Sequence, residues 1–297
     1  MLSFFKLIKI ENLLFIILAQ LCLRYGLLNS LDIDLLLSDL GILLLIIATF
    51  CIGAAGNIIL ETHAAASAII PSKIREKTAN TLFIILSTIG VLIGFYLSNI
   101  IGKPGFVTIF ILTSAIYYIY ATYLKEILVV KNITMAILVS VSILAIAIFD
   151  LVPTITPLNR EAVSFIFSIV KDYAILAFLL TFVREIAKDC YSLDTDYNHG
   201  IKTIPIALGK SRTAKLIMAL SLLISALLFY YTYTYLFANT KATLFVLLGL
   251  IAPLLIISFK SWTAETIKDF KLLSILIKIV MVIAAISFAL YKTLIFQ

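Results

Sequence analysis

The sequence predicts an all-α protein, a polytopic membrane bundle of about nine transmembrane helices. Three observations carry that expectation. Of 297 residues, 63% are hydrophobic and only 13% are charged, against about half and about a quarter in soluble domains. The apolar residues fall in continuous runs of about 20, the length that crosses a bilayer as a helix. The runs do not alternate apolar with polar, which weighs against a transmembrane barrel.

The runs can be taken in order. The first, roughly 10–29, is long and has no A-x-A-like exit, so it reads as a span and not as a cleavable leader. The second, roughly 38–60, ends in the small-residue stretch Gly53-Ala54-Ala55-Gly56. The third and fourth, roughly 79–101 and 105–123, are separated by the turn-forming Gly102-Lys103-Pro104-Gly105. Pro153 and Pro157 punctuate the connection between the fifth and sixth, roughly 127–150 and 162–183. The last three fall at roughly 213–238, 242–259 and 271–295.

The basic residues orient the chain. With the N-terminus in the cytoplasm, sixteen Lys and Arg fall on the inner side and five on the outer (Arg24, Lys103, Arg160, Lys241 and Lys292), while Lys171 and Lys278 lie within spans. That arrangement puts the 60–78 and 184–212 loops together on the cytoplasmic side. The net charge of +7 suits anionic lipid headgroups. The bases are scattered over loops, so nucleic acid is not an expected partner. Cys22, Cys51 and Cys190 are far apart and suggest neither a disulfide framework nor a zinc site.

The densest polar stretch is Arg184-Glu185-Ile186-Ala187-Lys188-Asp189, followed by Asp194, Asp196, Gly200-Ile201-Lys202-Thr203 and Leu208-Gly209-Lys210. So many ionisable groups in a bilayer-embedded chain point to handling of something charged. Clustered acids can hold a divalent cation, and the bases around them an anion.

This run resembles the second signature of the UbiA-type intramembrane prenyltransferases, R-E-x-x-K-D-x-x-D-x-x-G-D followed by G-x-K-T-x-P and L-G. Tyr120-Ala121-Thr122-Tyr123-Leu124-Lys125 is similar to the family's Tyr…Leu-Lys element. The resemblance covers essentially the whole chain as one domain, 1–297, and is nearest in kind to the geranylgeranylglycerol-phosphate geranylgeranyltransferase-like group. It implies a membrane prenyltransferase that moves an isoprenyl group from an allylic diphosphate to a lipophilic acceptor. It also implies two acid-bearing cytoplasmic loops that hold Mg2+, or Mn2+, against the diphosphate, so that the metal offsets charge on the leaving group. Carried over residue by residue, it gives Asp189, Asp196 and Lys188 catalytic roles and makes Asp189, Asp196 and Glu61 metal ligands. Substrate contacts fall to Asn57, Glu61, Tyr120, Lys125, Arg184, Asp194 and Lys202.

The chain departs from both signatures. In the second, Ser192 stands at the middle acidic position and Thr195 at the usual Gly, with Asp194 as an extra acid. In the first, N-D-x-x-D-x-x-x-D, two registers are open. Either Asn57 is the family Asn, with Ile58 and Glu61 at the first two acidic positions, or Leu60 takes the Asn position and Glu61 the first acid. The second register keeps the small-residue run at its usual distance. In both, Glu61 is the one carboxylate left, and the loop before Lys73-Ile74-Arg75-Glu76-Lys77 is short. His63 could ligate a softer ion such as Mn2+ or Zn2+.

Three readings follow: a working prenyltransferase with an altered metal site, a catalytically impaired paralogue that binds isoprenoid or lipid without turnover, and a transporter. The transporter is disfavoured because no internal repeat is visible and the charges lie in the cytoplasmic loops. The tyrosines of the fourth and seventh spans can be cation-stabilising faces or membrane-interface belts.

Overall fold

A computed structural model describes residues 2–31, 33–63, 76–124, 127–198 and 200–295. Among them no strand occurs, and nine helices are long and apolar enough to cross a membrane. They are α1 (Ile10–Ser30), α2 (Asp39–Thr62), α3 (Glu76–Ile100), α4 (Pro104–Thr122), α5 (Val130–Thr154), α6 (Arg160–Tyr191), α7 (Lys210–Leu236), α8 (Thr240–Trp262) and α9 (Ile267–Tyr291). The chain is an integral, multi-pass membrane protein. Each run read from the sequence is recovered.

The chain divides into two compact units. The first comprises Met1–Leu21, Asp32–Lys125 and Val141–Asp172; the second comprises Cys22–Leu31, Glu126–Ser140 and Tyr173–Gln297. The division falls within α1, α5 and α6.

In the first unit, small residues bring helices close, as expected where lipid removes the hydrophobic drive between them. A Cβ at Gly53 would lie 2.7 Å from Leu13 Cδ2 of α1, and one at Gly90 would lie 2.6 Å from Ile52 of α2. A Cβ at Gly56 would run into the ring of Tyr117 on α4. The Gly-Ala-Ala-Gly stretch of α2 is therefore a packing surface. Buried polar groups find partners across helices. Gln20 of α1 donates to Thr49 Oγ1 at 3.2 Å and to the Ser142 carbonyl at 2.8 Å. Asp150 accepts from the Leu37 amide at 2.8 Å, tying the entry of α2 to α5.

In the second unit, the Tyr173 hydroxyl meets Ser287 Oγ at 2.7 Å while its ring lies 4.0 Å from that of Phe288. Ser140 Oγ donates to the Ala174 carbonyl. Asn239 caps α8 by accepting from the Ala242 amide at 3.1 Å. A widened turn at Leu247–Ile251 precedes Pro253, which has no amide hydrogen to give the ladder.

One expectation needs correcting. The sequence reading ended the sixth span near 183 and placed Arg184–Asp189 in a loop. Helix α6 instead continues to Tyr191, 32 residues in all. Arg, Glu, Ile, Ala and Lys are adequate to strong helix formers, and Glu185 pairs with Lys188 one turn on. At 1.5 Å per residue α6 is about 48 Å long, well beyond the roughly 30 Å hydrocarbon layer. Its polar end therefore extends past the apolar zone as helix. After Ser192 a short helix, Leu193–Asn198, and a second, Ile204–Leu208, lead into α7. Gly200 and Gly209, at φ +71° and +85°, make the two turns.

Candidate functional site

The polar end of α6 is built against the first turn of α5. Val129, just before α5, has φ +68°, an uncommon conformation for a β-branched residue. The Asn132 and Ile133 amides then donate to the Val129 carbonyl at 3.0 and 3.1 Å, which starts the helix. This places Lys131 and Asn132 side by side on Asp189. Lys131 Nζ lies 2.7 Å from Asp189 Oδ1, and Asn132 Nδ2 donates to Oδ2 at 2.9 Å. Two consecutive residues thus engage both oxygens of one carboxylate, which is only 3% exposed. The N-terminal end of α5 adds its partial positive charge.

Asp196 joins the same group. Lys131 Nζ is 3.9 Å from Asp196 Oδ2, and Ser192 Oγ donates to that oxygen at 2.7 Å. Ser192, on the neutralised acidic position, is thus a hydrogen-bond donor to the neighbouring acid. The Asp196 backbone is held too: its amide donates to Ser192 O at 2.9 Å and its carbonyl accepts from Ile201 N at 3.0 Å.

A second pair lies on the same helix end. Lys188 Nζ contacts both Glu185 oxygens, at 2.9 and 2.8 Å, and Arg184 Nη1 is 3.8 Å from Glu185 Oε1. Among the described residues, Arg184 Nε and Thr203 Oγ1 are buried without a hydrogen-bond partner. Such groups cost free energy unless a ligand or water meets them. Asp194 and Lys202 are exposed.

The remaining expected residues lie in the first unit. Glu61, near the end of α2, pairs with Lys9 Nζ at 2.7 Å. Asn57 Nδ2 donates to the Ile8 carbonyl at 2.8 Å, so it ties the N-terminal segment to α2. Tyr120 is buried in the last turn of α4. Lys125 lies outside the described residues, as do 64–75 of the first polar loop and the side chain of His63. Of the α7 tyrosines, Tyr230, Tyr233 and Tyr235 are all exposed, which suits an interfacial belt.

Sequence reading missed Lys131, Asn132 and Glu185 as site residues. A signal was present for the first two. Lys131 was counted with the cytoplasmic bases, yet it and Asn132 fall at the very start of the apolar run of the fifth span, where polar groups are unusual.

The resemblance implies a divalent metal on Asp189, Asp196 and Glu61. As they stand in the second unit, Asp189 and Asp196 do not fit one. Both Asp189 oxygens are taken, an ammonium lies beside both acids, and among the described residues no three His, Cys, Asp or Glu are grouped to hold a metal ion.

No family model matches the chain. A digeranylgeranylglyceryl phosphate synthase of Korarchaeum cryptofilum (strain OPF8) is 30% identical over 156 residues, 52% of this chain and 48% of that one, so the match spans about half of each. A UbiA homologue from Archaeoglobus fulgidus, solved bound to GPP and Mg2+, matches with a TM-score of 0.63 and 14% identity over 97% of this chain and 99% of its own. The apo structure of a UbiA homologue from Aeropyrum pernix K1 gives 0.64 and 14%, over 94% of each chain.

The chain has the fold of the UbiA homologues.

A solved structure concerned with digeranylgeranylglyceryl phosphate synthase in membranes agrees, at a TM-score of 0.65 and 18% identity over 97% of this chain and 96% of that one. The all-α fold that the sequence resemblance implied is borne out by these likenesses. Structures of a UbiA homologue from A. fulgidus bound to Cd2+ and bound to DMAPP and Mg2+ match as well, at TM-scores of 0.63 and 0.62.

Proposed function

We propose that this protein is a UbiA-type membrane prenyltransferase, a single domain over 1–297 that transfers an isoprenyl group from an allylic diphosphate to a lipophilic acceptor at its cytoplasmic face. The observation that carries the reading is the buried Lys131–Asp189–Asn132–Asp196 group at the end of α6, on the acids that the family resemblance singles out. Beside it, Arg184 keeps a buried Nε–H to give, and Lys188 and Lys202 supply further positive charge. A diphosphate accepts from such donors, and they gain strength where water is excluded.

In this reading the allylic C–O bond breaks and its electron pair stays on the diphosphate, whose growing charge Arg184, Lys188 and Lys202 offset. The acceptor then bonds to the allylic carbon and gives up its proton. Glu61, Asn57, Tyr120, Lys125 and Asp194 are carried as substrate contacts. Mg2+, held by acids, would supply further charge neutralisation. The acids of the second unit do not fit it as they stand, so no step is routed through it. The named relatives make geranylgeranyl diphosphate the first donor to try and a geranylgeranylated glycerol phosphate the first acceptor.

A second reading has its own support. Glu61 is tied to Lys9 and Asp189 to Lys131 and Asn132, as expected of a paralogue that binds an isoprenoid without turnover. Pyrophosphate release by the purified full chain, with and without Asp189→Ala, decides between them. Release that the variant abolishes supports transfer. Diphosphate binding without release supports the paralogue. Absence of both overturns the proposal.

A further inference from the structure

We infer that the resident cation between Asp189 and Asp196 is the Lys131 ammonium, which occupies the seat a divalent metal would take and excludes it. Three independent features of the second unit lead there.

The first is position. The ammonium contacts Asp189 at 2.7 Å and stands 3.9 Å from Asp196, so it faces both acids. A magnesium ion bridging those carboxylates has to lie about 2.0–2.1 Å from their oxygens, in the space the Lys131 nitrogen fills.

The second is how firmly Lys131 is placed. It sits on the first turn of α5, fixed by the positive-φ turn at Val129. Its neighbour Asn132, 1% exposed, takes the other oxygen of the same carboxylate. Admitting a metal at Asp189 therefore displaces two contacts and leaves a largely buried ammonium without its counter-ion. A buried unpaired charge is costly.

The third is Ser192. It is neutral and spends its proton on Asp196 Oδ2. The group thus contains two acids, one base and two neutral donors. The lysine cuts the negative charge of the two acids by one unit, so the site draws a second cation less strongly than two bare acids do. Mg2+ also gives up its water reluctantly, which adds to the penalty of competing with a tethered ammonium.

The inference shares its site with the proposed prenyl transfer but is read by cation binding. Loss of turnover leaves it standing, and its own failure leaves pyrophosphate release to judge the transfer. The test is a Mn2+ titration of the purified full chain, followed by the loss of the free-ion paramagnetic signal. The wild type should take up no Mn2+ that depends on Asp189. Lys131→Gln should create a site and tighten apparent affinity by roughly tenfold or more, the scale on which one neighbouring group alters metal affinity. K131Q combined with Asp189→Asn should lose the site again, and Mn2+ should raise the melting temperature of K131Q but not of the double variant. K131Q leaves two acids uncompensated, so the wild-type titration is also a test by itself. Mn2+ binding by the wild type that Asp189→Asn removes overturns the inference. Equal affinity in wild type and folded K131Q overturns it as well.

Discussion

Replacing Lys131 with Met removes the ammonium while keeping the bulk of the side chain. Asp189 then keeps Asn132 as a donor but loses its counter-ion in a site where its side chain is 4% exposed and that of Lys131 15%. Deleting one partner of a buried pair costs about 3–5 kcal/mol. The partial exposure of Lys131 and the surviving Asn132 bond place the expected loss at the lower end, about 3 kcal/mol. At about 2–4 °C per kcal/mol, the melting temperature should fall by roughly 6–12 °C. Asp189→Asn alone strands the ammonium, whose remaining acid is 3.9 Å away, and should also destabilise. In K131M/D189N neither member of the close pair leaves a charge behind, and Asp196, which loses only the 3.9 Å contact, keeps its Ser192 donor, so the double variant should melt above the value that summing the single losses gives. The expected coupling is about 2 kcal/mol, within the range for contacting residues. The assay is survival of the monodisperse protein after heating in detergent, read by size-exclusion fluorescence. A Lys131→Met protein as stable as the wild type, or strictly additive losses, would refute the buried-pair argument.

Three other outcomes are expected of the same assay. Gly94→Ala should destabilise by about 1–3 kcal/mol, because its Cβ would come within 2.7 Å of Phe110 Cε2, and Phe110→Leu should recover part of the loss. Lys9→Ala should shift stability by less than about 1 kcal/mol despite the 2.7 Å contact with Glu61, because its side chain is 36% exposed and solvent screens the pair. Ser192→Asp should lower the melting temperature. It replaces a hydroxyl donor to Asp196, a bond worth about 1.5–3 kcal/mol with a charged acceptor, by a like charge.

The nine spans were legible because a helix that faces lipid must be apolar along about 20 residues, a constraint that local composition states openly. The acids of the second signature were equally visible, since Asp189 and Asp196 stand out of an apolar background. The loop assignment of Arg184–Asp189 failed because polarity was read as the end of the helix. A helix can run on past the hydrocarbon layer where its residues favour that conformation, as these do. Asn57 shows the opposite limit. Its residue type suited a ligand contact, yet its amide serves the Ile8 carbonyl, a partner 49 positions away.

The membrane class, the spans, the polar run after the sixth span and the resemblance of its motif were determined by the sequence alone, because hydropathy and short-range spacing are properties of the chain itself. The partner of each acid was decided only by the tertiary structure. Lys131 and Asn132 lie 57 or more positions from Asp189, and nothing local says that the first turn of α5 meets the end of α6. The net charge of the site depends on that meeting, since an ammonium brought in from another helix can stand where an ion was expected.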